Sequence, residues 1–153
     1  MATDDSKLKV QGGCHCGYIK YSFTASPDLL LNANRCNCSF CQKLGTTNLH
    51  LAKDVNSTFT LLSPGSKAEL PNYAPRIKSV ARYFCDKCGT HVWMEGSYPH
   101  GGKEHELFAV NLATVDQPQE GIDLSQTKIR YFDMLRENYA GGLKDTPWPN
   151  GLL

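Results

Sequence analysis

Seven cysteines gathered into three short clusters leave this chain few ways to fold. The clusters are Cys14-His15-Cys16-Gly17, Cys36-Asn37-Cys38-Ser39-Phe40-Cys41 and Cys85-Asp86-Lys87-Cys88-Gly89. A lone cysteine is an ordinary core residue, but close pairs on tight turns are what tetrahedral zinc requires, with sulfur ligands at about 2.3 Å. Gly17 and Gly89 each follow the second cysteine of a pair. Glycine there suits a turn that needs positive φ or close approach of backbone to a metal. The two glycine-terminated pairs read as matching half-sites. Cys14, Cys16, Cys85 and Cys88 then form a closed set of four thiolates clasping distant parts of the chain, as structural zinc does. Redox thiols fit less well, because Cys85-x-x-Cys88 lacks the following long helix of a thioredoxin-like unit.

The middle cluster can place Cys36, Cys38 and Cys41 around one ion from a single loop, and no eighth cysteine exists to complete the shell. Three protein ligands and an exchangeable fourth position are the arrangement of catalytic zinc. Two other arrangements stay open on spacing alone. A histidine (His15, His50, His91, His100 or His105) can fill the fourth corner, or Cys36–Cys41 can pair with Cys85 and Cys88 and leave Cys14 and Cys16 spare. Zinc held by three thiolates carries a net −1 charge, so it acidifies water poorly and favours a soft sulfur ligand arriving with a substrate. Filling both sites takes the formal chain charge from +1 to about −2. An anionic thiol then needs local basic help, and Arg35 and Lys43, on either side of the cluster, are nearest, with Arg76 and Arg82 further off.

At 153 residues the chain fits one domain. Its 41% hydrophobic content, 13 glycines and 8 prolines suit a turn-rich β protein whose modest core gains from metal staples. Basic residues are scattered and the net charge is small, which gives no field for nucleic acid. No apolar run approaches bilayer length, so no membrane partner is expected. The start, Met1-Ala2-Thr3-Asp4-Asp5-Ser6-Lys7, has no apolar export segment, and an odd cysteine count argues against a disulfide framework. Cytoplasmic location, with reduced thiols, is the expectation.

The expected organisation is a disordered lead over 1–7, one zinc-binding β domain over 8–139, and an irregular Gly/Pro-rich tail over 140–153. Ile19, Tyr21 and Phe23 alternate with polar neighbours and predict a half-buried strand. Further strands are expected at Leu8–Val10, from Leu29-Leu30-Leu31 toward Arg35, and at Asn48–Ala52, Phe59–Leu62, Leu107–Leu112 and Lys128–Phe132. Ser39–Leu44 reads as a short helical turn capped by Ser39 and stopped at Gly45. Ser79–Phe84 and Thr90–Met94 form a hairpin around Cys85 and Cys88. Leu70–Arg76 and the polar stretch Gly96–Glu106 read as loops.

Three stretches, GGCHCGYIKYSF at 12–23, RCNCSFCQKLGT at 35–46 and RYFCDKCGTHVW at 82–93, resemble the glutathione-dependent formaldehyde-activating enzymes, the family that includes the centromere protein V domain. The resemblance runs from about residue 10 to residue 135. It implies a mainly β, β-tent type zinc fold of antiparallel sheets pinned by a four-cysteine zinc. It also implies two zinc ions per chain, a structural one on Cys14, Cys16, Cys85 and Cys88 and a catalytic one on Cys36, Cys38 and Cys41. The implied activity is that of a carbon–sulfur lyase, the reversible joining of formaldehyde and glutathione into S-hydroxymethylglutathione. His50 and His91 are the histidines best placed to move a proton. Family members commonly carry histidine where this chain has Asn37. The loops 63–78 and 96–106, with Tyr73 and Tyr98, would shape the substrate pocket. Two other functions fit the same motifs: a zinc-dependent hydrolase, lyase or decarboxylase on another small metabolite, and a non-enzymatic binding module with two structural zincs.

Overall fold

The computed structural model describes residues 6–51, 58–75 and 79–152. Their strands form two sheets. The smaller sheet orders β1 (Leu8–Gly13), β2 (Lys20–Ala25) and β5 (Phe59–Ser63), all antiparallel. In β2 the alternation works as expected: Tyr21, Phe23 and Ala25 are buried, while Lys20 is exposed. The larger sheet contains β3 (Asn32–Cys36), β4 (Asn48–His50), β6 (Asn72–Tyr73), β7 (Val80–Phe84), β8 (His91–His100), β9 (Lys103–Asn111) and β10 (Lys128–Phe132). Their spatial order is β10-β3-β4-β9-β8-β7-β6.

The sheets meet across an apolar layer. Val10 and Phe23 of the smaller sheet, with Ile19 just before β2, share one core with Leu49, Val92, Trp93 and Val110 of the larger. Phe59 lies at the join, with its ring centroid 5.2 Å from those of Tyr21 and Trp93 and 5.0 Å from that of Phe108. Each such buried side chain contributes roughly 1.5–3 kcal/mol.

Several expectations change. The sheets are not wholly antiparallel, since β10 runs parallel to β3, with Phe132 opposite Cys36. Leu29-Leu30-Leu31 does not begin a strand. Ser26 caps a short helix, α1 (Pro27–Leu30), by accepting from the Leu29 N–H, and Pro27 sets the helical φ of its first turn. Gly96–Glu106 is not a loop but the outer half of the β8–β9 hairpin. His100 pairs with Lys103 across Gly101-Gly102, whose φ values of +60° and +75° match a tight hairpin turn. Its polarity reflects solvent on the extended arm rather than irregular backbone. Asn72 and Tyr73 form an edge strand against β7, within the stretch Leu70–Arg76 read as a loop; Arg76 lies outside the described residues. Residues beyond Leu143 cross back over β10, where Lys144 bridges to Tyr131.

Candidate metal centres

The turn between β1 and β2 and the turn between β7 and β8 are built alike. The Cys14 N–H bonds the Ile19 carbonyl at 3.1 Å, and the Cys85 N–H bonds the Thr90 carbonyl at 2.9 Å. Gly17 (φ +83°) and Gly89 (φ +78°) each return an N–H to the first cysteine's carbonyl. The Ile19 N–H also donates to Cys14 Sγ at 3.2 Å. These turns bring Cys14, Cys16, Cys85 and Cys88 together, with all four sulfurs within 4.8 Å of one another. Tetrahedral sulfurs around zinc lie about 3.8 Å apart. The observed Cys14–Cys16 and Cys16–Cys85 separations are 3.6 and 3.7 Å, so the donor set fits such an ion in number, chemistry and spacing. Burial pushes the Cys85 thiol up to about 12, while a hydrogen bond with Thr90, 3.2 Å away, brings Cys88 down to about 5. One pair lies on each sheet, so an ion here would join the two.

The second group is Cys36, Cys38 and Cys41, again within 4.8 Å. Among the described residues no histidine joins it, and it stands apart from Cys85 and Cys88. Cys36 ends β3. Cys38, rather than Ser39, caps α2 (Ser39–Leu44): its sulfur accepts from the Cys41 N–H at 3.4 Å, and Cys36 Sγ accepts from the Cys38 N–H at 3.4 Å. Gly45 closes the helix by bonding the Cys41 carbonyl at 2.9 Å. Hydrogen bonds from Cys36 and Cys41, then from backbone N–H groups, hold Cys38 well below the usual thiol range. Its bond with Cys38 pushes the Cys36 thiol up. A loop that stabilises one thiolate with backbone donors and sets two more sulfurs beside it suits a thiophilic metal with one position left over.

Beneath α2 lies a cavity of about 20 Å³, lined by Phe40, Cys41, Asn48, Arg82, His91 and Asn111 among others. Arg82 Nε and His91 Nδ1 are both buried there without a hydrogen-bond partner. The Arg82 guanidinium sits 4.5 Å from the Phe40 ring centroid. Burial, and secondarily Arg82, lowers the His91 pKa, which keeps its imidazole neutral near pH 7.

The remaining sequence candidates lie elsewhere. His50 is bonded through Nε2 to Asn34 at 3.2 Å and does not line this cavity. Arg35 donates from Nε to Thr47 at 3.0 Å, and Lys43 is exposed in the last turn of α2. Tyr73 stacks on Phe40 at 5.4 Å, while Tyr98 stacks on His105 at 5.5 Å. Sequence reasoning missed Asp133, which binds the Asn37 side chain, and Tyr139, which stacks on His100 at 3.9 Å. No spacing signal marks either residue, because each meets its partner only through the fold.

A sequence model of the glutathione-dependent formaldehyde-activating enzymes matches residues 9–129. The chain belongs to this family. The match takes in both cysteine groups and ends before Asp133. The fold is also similar to the crystal structure of a Rhodobacter sphaeroides protein solved as a structural-genomics target. The TM-score is 0.55 at 21% identity, over 82% of this chain and 100% of that one. Among the described residues no helix is long and apolar enough to cross a membrane.

Proposed function

We propose that this family member is a cytoplasmic, zinc-dependent carbon–sulfur lyase that joins a thiol, glutathione or a close analogue, to a small carbonyl such as formaldehyde. The observation that carries the reading is the three-sulfur group on one loop, with no fourth protein thiol, beside a small, largely apolar cavity that Arg82 and His91 help to line. The four-cysteine group would hold a second, structural zinc. In the reaction a carbon–sulfur bond forms, the carbonyl π bond breaks, and the thiol proton moves to the new hydroxyl; nothing is oxidised or reduced. Zinc held by Cys36, Cys38 and Cys41 would supply an exchangeable position for a soft sulfur donor. Neutral His91, which lines the cavity and has a buried Nδ1 without a hydrogen-bond partner, is suited to accept and return the proton. Arg82 offers positive charge where oxygen becomes negative. His50, already bonded to Asn34, is less suited to that transfer. Arg35 and Lys43 would act on an anionic thiol only as flanking charges.

The test is the zinc content per chain, measured with and without glutathione, together with adduct formation followed by NMR. Two ions, one of them perturbed by thiol, and turnover lost in Cys38→Ser with the fold retained, are expected. Two ions that both ignore thiol, with no turnover, would sink the reading in favour of a binding module. His91→Gln should lower kcat by about 10²–10⁴-fold and leave zinc content unchanged.

A further inference from the structure

Asn37 lies between Cys36 and Cys38, is only 7% exposed, and is gripped at three atoms. Its Nδ2 donates to Asp133 Oδ1 at 2.8 Å, its Oδ1 accepts from the Leu135 N–H at 2.8 Å, and its own N–H donates to the Phe132 carbonyl at 3.3 Å. Asp133 is 1% exposed, so its charge is buried and needs compensation. Arg136 Nη1 donates to Asp133 Oδ1 at 2.9 Å and to the Pro149 carbonyl at 3.2 Å, and Asn138 Nδ2 reaches Asp133 Oδ2 at 3.4 Å. The other end of the cysteine loop is held as well, because the Leu152 N–H donates to Gln42 Oε1, one residue past Cys41, at 2.9 Å. Trp148 Nε1 anchors the intervening segment on the Tyr131 carbonyl at 3.0 Å.

Within the loop itself, the sulfurs are oriented by N–H···S contacts of 3.4 Å. These are weak compared with charge-assisted bonds of 2.8–2.9 Å. We infer that Asp133 is a positioning residue for the three-cysteine loop, and that residues 133–152 clamp this loop at both ends in its ligating geometry. The clamp lies beyond the residues that the family model matches, 9–129. It also gives Asn37 a role that needs an acceptor and a donor on one planar amide. The inference rests on reading this loop as a metal site.

The experiment loads the full chain with cobalt(II), follows the sulfur-to-metal absorption, and times metal transfer to a chromophoric chelator. Cys38→Ser identifies the signal of the three-cysteine site. Asp133→Asn is expected to speed release from that site by about 10–100-fold, with release from the four-cysteine site and the circular dichroism spectrum unchanged. Gln42→Ala in the full chain, which keeps Asp133 but removes the acceptor of the Leu152 N–H, should shift the same site in the same direction. Release from both sites accelerated together, or unchanged in both variants, overturns the clamp while two loaded sites leave the metal reading intact. A parent chain that loads only the four-cysteine site would overturn the metal reading and the clamp with it.

Discussion

Asp133 shows how a single buried carboxylate can be worth more to a loop than to a reaction. The Asn37 amide holds it below the usual carboxylate range, against the cost of burial and with help from Arg136 and Asn138. The unfolded chain, with an aspartate pKa near 3.9, therefore takes up the proton first on acidification. The stabilisation is complete above about pH 5, starts to fall as the unfolded chain protonates, and disappears as pH drops through the lower folded value. Thermal melts of the parent and Asp133→Asn should differ most near neutrality and converge in acid. A gap independent of pH would mean that ionisation is not its source. The pairing was not legible in the sequence, because Asn37 and Asp133 are 96 residues apart and, although Asn37 stands inside a cysteine motif, nothing around Asp133 marks it as the partner. The cysteine sets were legible for the opposite reason: ligand spacing is local chemistry, and Gly17 and Gly89 took the positive φ their positions implied.

At the level of elements, periodicity read strands well wherever one face meets the core, as in β2. It misread the β8–β9 arm, whose outer half has no fully buried residue and carries polar and ring side chains rather than an apolar face to announce a period. Amide exchange separates the two descriptions. Slow and fast amides should alternate from Lys103 to Leu107, with Gly101 and Gly102 fast, whereas uniformly fast exchange over 97–106 would restore the loop. The parallel pairing of β10 with β3 was also hidden, since it depends on a return of the chain over distant elements. In α2, the short run of helix serves the cysteines: the Cys41 N–H is spent on the Cys38 sulfur, and the Phe40 ring packs against Arg82.

For the molecule as a whole, the core ties one sheet to the other, and an ion on the four-cysteine group would do the same. Trp93, 4% exposed and stacked on Tyr83 at 4.5 Å, lies where the sheets meet. Trp93→Ala should cost about 3–5 kcal/mol in denaturant unfolding, with the zinc content retained. Cys85→Ser acts through the other tie, and should lose the structural ion and melt or aggregate well below the parent. A stable, fully folded Cys85→Ser chain would mean that the core alone suffices.

The separation of 69 residues between Cys16 and Cys85 also has a bearing on biosynthesis. A ribosome delivers the first pair long before the second, at roughly 5–20 residues per second. For several seconds the nascent chain exposes two thiols that belong to no finished site, and later three more from the middle loop. An ion held by all four cysteines could only be captured after the β7–β8 turn has emerged, so until then the first thiols would be open to the wrong metal or to oxidation.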